Sequence, residues 1–231
     1  MARLPRLALA SHVHLVELCA LPGARLAHDD EDRTQALASL HSAAQQHGVA
    51  LHAYSLLDQR LYLLGTPHYN EGLSLMIQGL GRRYVPRFNR RHGLTGRLWD
   101  GRFRATIIQP GALVLDAILF VDGSAAVETT PPLPPSEHVW SSARHHLGHA
   151  RDPMLTDRAE YWQLGNTPFE RERVYRGRLE EGLSPSRRDQ LAQAVHKGWA
   201  LGEPAFLDRL RDLIDRPLQP RRRGRPARPL A

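Results

Sequence analysis

The stretch VALHAYSLLDQRLYLLG, residues 49–65, decides the fold. Val49 to Leu57 and Leu61 to Gly65 are two apolar runs rich in strand-forming residues, with a tight turn at Asp58-Gln59-Arg60 between them. The pair reads as two neighbouring strands. Upstream, Asp29-Asp30-Glu31-Asp32 places acids where a helix N-terminus favours them, and Leu37, Leu40 and Ala44 follow at helical spacing up to Gly48. Before that helix, His12 to Leu21 is a strand closed by Pro22-Gly23. Downstream, a helix from about Asn70 to His92 carries Leu73, Met76, Ile77, Leu80, Tyr84 and Phe88 on one face, with a kink expected at Pro86. Phe103 to Gln109 is the fourth strand. The order β-α-β-β-α-β predicts an α+β, ferredoxin-like domain over residues 1–127: an antiparallel sheet with both helices on one face.

The remainder reads as a helical extension over residues 128–215. A third helix from Ala112 to Val127 leads into the stiff connector TTPPLPP (Thr129 to Pro135). Ser184 caps a helix that starts at Pro185 and runs to about Lys197, and another helix spans roughly Pro204 to Ile214. Residues 216–231, RPLQPRRRGRPARPLA, lack apolar periodicity and read as a disordered basic tail.

Composition narrows the function classes. The 231 residues carry a net charge of +7 and a pI near 10.3, which points to a polyanionic partner. Lys197 is the only lysine, so the positive charge is almost all arginine. Cys19 is the sole cysteine, which excludes an intrachain disulfide and a cysteine-based zinc site and suits a reducing, cytoplasmic setting. The N-terminal stretch is interrupted by histidines and Glu17, and is too polar for a spanning helix or a signal peptide.

The charge gathers in RRYVPRFNRRHGLTGRLWDGRFR, Arg82 to Arg104. Arg82, Arg83, Arg87, Arg90, Arg91, Arg97, Arg102 and Arg104 stand there against one acid, Asp100, with Tyr84, Phe88, Trp99 and Phe103 among them. Guanidinium forks suit phosphate and aromatic faces stack on unpaired bases, so these arginines and Trp99 are the candidate nucleic-acid contacts. In the tail, Arg223-Gly224-Arg225-Pro226 matches the core of an AT-hook, in which arginines enter a narrow A·T-rich minor groove. A solubilising tail that contacts phosphates without sequence preference accounts for the same four residues equally well.

FNRRHGLTGRLWDGRF (Phe88 to Phe103), LHAYSLLD (Leu51 to Asp58), HVWSS (His138 to Ser142) and KGWALGEPAF (Lys197 to Phe206) resemble the single-tyrosine transposases, in particular the REP-associated branch of bacteria. The resemblance implies a ferredoxin-like fold that recognises hairpins in single-stranded DNA. It also implies strand cutting and rejoining through a phosphotyrosine, with Mg²⁺ or Mn²⁺ held by a His-hydrophobe-His triplet. The positions that match the triplet are Arg60, Leu61 and Tyr62, and the position that matches the nucleophile is Phe120; Ser124-Ala125 replaces an Asn-Pro pair. An arginine repels a divalent cation, and phenylalanine has no hydroxyl to form a phosphoester. The expectation is therefore a nucleoid-associated protein, monomer or homodimer, that binds hairpin or palindromic DNA without cutting it and without a cofactor. Two alternatives stay open: an RNA-hairpin binder, and a working transposase with displaced residues. In the second, His12-Val13-His14 would hold the metal and Tyr62 or Tyr84 would attack, although hydrogen-bonding histidines and structural tyrosines are the plainer reading. His145-His146 with His149 resembles a metal cluster in composition and reads as an exposed polar helix end.

Overall fold

The computed structural model describes residues 7–219. Four strands, β1 (Val13–Cys19), β2 (Val49–Leu56), β3 (Arg60–Pro67) and β4 (Arg104–Ile108), form one antiparallel sheet in the order β2-β3-β1-β4. Helix α1 (Asp30–Gln46) links β1 to β2, and α2 (Gly72–His92) links β3 to β4. Each crossover steps over one strand, so the two βαβ units interlock. This is the expected β-α-β-β-α-β arrangement.

Side chains alternate along the strands. Val16, Leu18, Leu51, Leu56, Leu61, Leu63 and Ala105 pack with Leu40, Ala43, Met76, Leu80, Tyr84 and Phe88 of α1 and α2. Asp29 caps α1 by accepting from the Asp32 amide at 3.0 Å. Gly79 lets the two helices approach closely, since a Cβ there would lie 3.2 Å from that of Ala43. Helix α2 continues through Pro86, which is exposed, and its buried stripe from Leu73 to Phe88 is unbroken.

The second face of the sheet is also covered. After β4 come α3 (Ala112–Asp122) and three one-turn helices, α4 (Ala125–Glu128), α5 (Ala143–His146) and α6 (Ala159–Trp162). These are followed by α7 (Pro168–Glu181), α8 (Pro185–Lys197) and α9 (Pro204–Arg211). Leu15, Ala53, Tyr62, Leu64 and Ile108 meet Val114, Ile118, Val121, Tyr175, Leu191 and Val195 in a single cluster. Burial on both faces explains why the strands read as nearly continuous apolar runs rather than alternating ones.

The extension protects both sheet edges as well. Beside β2, the Leu56 amide donates to Trp140 O at 2.9 Å and the Ser142 amide to Tyr54 O at 2.9 Å. Beside β4, the Leu201 amide donates to Ile107 O at 2.8 Å.

Several boundaries differ from expectation. Strand β1 spans Val13–Cys19, shorter than His12 to Leu21. Helix α3 stops at Asp122 instead of Val127, because the chain turns at Gly123-Ser124 to bury Ser124, whose hydroxyl donates to Ser55 Oγ at 2.8 Å. The basic tail does not start at Arg216: Leu218 is buried against Leu207 and Leu210, and Arg216 Nη2 donates to Gly198 O at 2.7 Å.

His145-His146 is not an exposed helix end either. His146 is 1% exposed and donates from Nδ1 to Asp122 Oδ2 at 2.7 Å, while His145 meets Asp157 at 3.0 Å. The reason is Asp122, a wholly buried carboxylate at the end of α3 that requires donors. Tyr175 OH (2.5 Å) and Ser142 Oγ supply the others, tying α3, the segment after the connector and α7 together.

Buried histidines set an acid limit on this fold. Desolvation lowers His14 and His52 to about 4 in each case, and both rings serve backbone or hydroxyl partners as neutral imidazoles. Burial lowers His138 to about 4 as well. Between the unfolded value of 6.5 and the folded value, the unfolded chain binds more protons, so stability is full above 6.5 and falls as pH drops towards 4. The slope is about 1.4 kcal/mol per pH unit for each histidine. Urea midpoints should fall steadily from pH 7 to pH 4.5. His52→Gln should flatten that dependence by about one proton; an unaltered slope would mean His52 titrates alike in both states.

Candidate nucleic-acid interface and an adjoining closed site

The basic stretch runs along the last turns of α2 and the loop into β4. Gly93 ends α2 in the left-handed conformation (φ 63°), and Leu98 and Trp99 then pair with the chain just beyond β1. Arg82, Arg83, Arg87, Arg90, Arg97 and Arg102 are exposed. Among the described residues, Arg82, Arg87, Arg90, Arg97 and Arg102 form no ion pair or side-chain hydrogen bond. Arg83 donates to Gln46 Oε1 at 2.5 Å.

Two candidate contacts are already committed. Arg91 reaches Asp29 (2.7 Å), Glu31 (3.1 Å) and Asp32 (2.6 Å) at the start of α1. Its hydrogen bond holds the Asp29 carboxyl well below the usual carboxylate range. Arg104 Nη1 lies 3.0 Å from Glu17 Oε2, turned towards the sheet rather than outwards. The acidic run at the start of α1 had a helix-starting role in the sequence; that it would also neutralise an arginine some sixty residues away depends on the tertiary crossing of α1 and α2.

Between α2 and the loop lies an open groove of about 450 Å³, lined by Leu18, Cys19, Gly81, Arg82, Trp99 and Arg102 among others. The Trp99 indole lies over Gly81, with its Nε1 at van der Waals distance (3.6 Å) from where a Cβ would stand. That buried Nε1 has no hydrogen-bond partner. The groove thus combines the half-buried Trp99 ring with two uncommitted arginines.

Where the groove reaches Cys19 it adjoins a second site on the opposite face of the sheet, built from Glu17, Arg60, Tyr62 and Arg104. Glu17 pairs across the sheet with Tyr62 on one side and Arg104 on the other. Arg60 Nη1 donates to Tyr62 OH at 3.1 Å and to Glu128 Oε2 at 3.0 Å, and its Nε lies 3.7 Å from Glu17 Oε1. Tyr62 OH in turn donates to Glu128 Oε1 at 2.8 Å. The Tyr62 ring meets Phe120 of α3 edge-to-face, with centroids 5.4 Å apart, and Arg188 of α8 lies 5.6 Å above Phe120.

The polar groups of this constellation are paired with one another. Burial pushes the Tyr62 phenol well above its ordinary range, and the Glu128 charge adds to that, so its proton stays in place. The guanidinium of Arg60 bridges the Glu17 and Glu128 carboxylates. Tyr84 is no better placed to attack a phosphate: it is 1% exposed and its hydroxyl donates to Leu26 O at 2.5 Å.

Among the described residues, no group of metal ligands gathers around His12-Val13-His14. His14 Nδ1 bonds His12 O at 2.8 Å and its Nε2 accepts from the Leu9 amide at 3.2 Å, which engages both nitrogens. His12 lies outside β1, and its Nδ1 bonds Ala10 O at 2.8 Å. Arg223 and Arg225, with the rest of the AT-hook match, lie outside the described residues. Glu128 was missed in the sequence because it follows α3 by a turn that the helical pattern concealed. Glu17 did leave a signal, as the one acid in an otherwise apolar strand.

No family model and no curated protein matches this chain. Among solved structures, a REP-associated tyrosine transposase bound to a REP hairpin is similar, with a TM-score of 0.53 at 10% identity over 69% of this chain and 93% of that one. A second similar structure, assigned as a transposase of Deinococcus radiodurans R1, has a TM-score of 0.35 at 20% identity over 48% of this chain and 88% of that one. The first likeness shows that this chain has the transposase fold.

Proposed function

We propose that the protein belongs to the single-tyrosine transposase family, in its REP-associated branch, and binds hairpin or palindromic single-stranded DNA without cutting it. The observation that carries this reading is the closed network of Arg60, Tyr62 and Glu128 against Phe120. Arg60, Tyr62 and Phe120 stand at positions matching the family's metal triplet and nucleophile, while five exposed arginines along α2 and the loop into β4 stay uncommitted among the described residues. The fold likeness to a hairpin-bound transposase supports the choice of ligand. In this reading the groove along Arg82, Trp99 and Arg102 takes the phosphates and an unpaired base, and the sheet-face site serves as a structural support.

The test is a titration of fluorescent hairpin DNA with the full chain. Replacing Arg82, Arg87 and Arg90 together by alanine should weaken binding about 10–100-fold, since exposed ion pairs contribute roughly 0.5–1 kcal/mol each. Arg91→Ala should change affinity far less, because its guanidinium is held by three carboxylates. Equal affinity in the triple variant would place the interface elsewhere. Tighter binding to the same hairpin in RNA would transfer the reading to RNA.

A further inference from the structure

We propose that His28, Asp32 and His92 form a site for a divalent transition metal of the zinc class, pinning the start of α1 to the end of α2. The three residues come from two rigid elements: His28 lies two residues before α1, Asp32 is in its first turn, and His92 is the last residue of α2. One potential ligand atom from each lies within 4.8 Å of the others. Two imidazoles and one carboxylate form a donor set that selects zinc, cobalt or nickel over magnesium and calcium.

The surroundings already orient these ligands. His92 Nε2 lies 2.8 Å from Asp32 Oδ2, and the His28 amide donates to that same oxygen at 2.8 Å. The His28 and His92 rings lie with centroids 4.4 Å apart, tilted by 54°, and both rest against Phe88, at 5.1 and 4.7 Å. Asp32 is 3% exposed, so its position is fixed, while His28 is exposed and free to turn. Tetrahedral ligands about 2.1 Å from a zinc ion stand about 3.4 Å apart. A rotation of the exposed His28 ring closes most of that difference. Binding displaces the proton shared by His92 and Asp32 and leaves the remaining coordination position to water.

One feature opposes the ion: the Arg91 guanidinium bonds the other Asp32 oxygen, Oδ1, at 2.6 Å. Arg91 has Asp29 and Glu31 as further partners, so it can be shared among carboxylates while Oδ2 faces the two rings. The consequence is a specific sign. Removing this charge should tighten metal binding, whereas a histidine pair that merely packs against Asp32 would gain nothing.

The experiment is calorimetric titration of the metal-stripped full chain with Zn²⁺ at pH 7.5, together with Co²⁺ titration followed by visible absorption. One equivalent should bind and raise Tm. His28→Ala and His92→Gln should each weaken binding about 100-fold or more, beyond the 10–100-fold cost of losing an outer-shell partner. Arg91→Ala should strengthen it, and His12→Ala should leave it unchanged. Affinity should fall as the solution is acidified, because metal binding has to displace protons from its ligands. His28→Ala alters only an exposed ring, so an intact circular dichroism spectrum separates lost binding from lost fold. Failure to bind at millimolar Zn²⁺, or binding untouched by His28→Ala and His92→Gln, would overturn the proposal. None of these results depends on whether the protein binds DNA.

Discussion

Incubated with end-labelled hairpin DNA and Mg²⁺ or Mn²⁺, the protein should leave every strand intact and carry no DNA adduct through denaturing electrophoresis. Strand transfer through a phosphotyrosine needs an oxygen nucleophile in line with the phosphorus and a cation on the phosphate. At the matching positions this chain has a phenyl ring and a guanidinium–phenol pair locked to Glu128. The rate should stay at background, at least about 10⁶-fold below that of a working active site. Partial repairs should fail for separate reasons. Phe120→Tyr adds a hydroxyl beside Tyr62 but no metal. Arg60→His with Tyr62→His sets two imidazoles on one face of β3 near Glu17 and Glu128, which should bind a cation yet form no adduct. Only the three changes together restore both halves of the chemistry. Metal-dependent cleavage by the unmodified protein, lost in His12→Ala or His14→Ala, would reverse the assignment.

The parts of the fold legible in the sequence are those governed by local patterning. The hairpin at Asp58-Gln59-Arg60, the acidic start of α1 and the apolar stripe of α2 each carry a complete signal within a few turns of chain. What escaped is non-local. Asp122 looks like an ordinary polar residue near a helix end, and only the return of His146 and Tyr175 to its side makes it the centre of a buried network. The second face of the sheet is covered by α3 and, from much farther along the chain, by α7 and α8; the apolar strands show that a cover exists, but no local pattern says which helices supply it. The same limit applies to the basic stretch. Its arginines were countable, but the difference between Arg90, exposed and uncommitted, and Arg91, bound to three acids, comes from where α2 ends against α1.

That difference fixes the salt dependence of DNA binding. With Arg91 and Arg104 committed to carboxylates and Arg83 to Gln46, five uncommitted arginines remain on the rim among the described residues. Five phosphate contacts give a slope of log K against log salt of about −4.5 on duplex and about −3.5 on single strands. Raising salt from 50 to 200 mM should then weaken hairpin binding about 100–500-fold. If all eight arginines between Arg82 and Arg104 met phosphate, the duplex slope would be about −7 and the loss about 10⁴-fold. Arg221, Arg222, Arg223, Arg225 and Arg228 are a separate contribution, removed by replacing them with alanine in the full chain. The slope of that variant reports the rim alone. A value near −4 supports the rim as drawn, and a slope near zero would mean that the tail, not the groove beside Trp99, holds the nucleic acid.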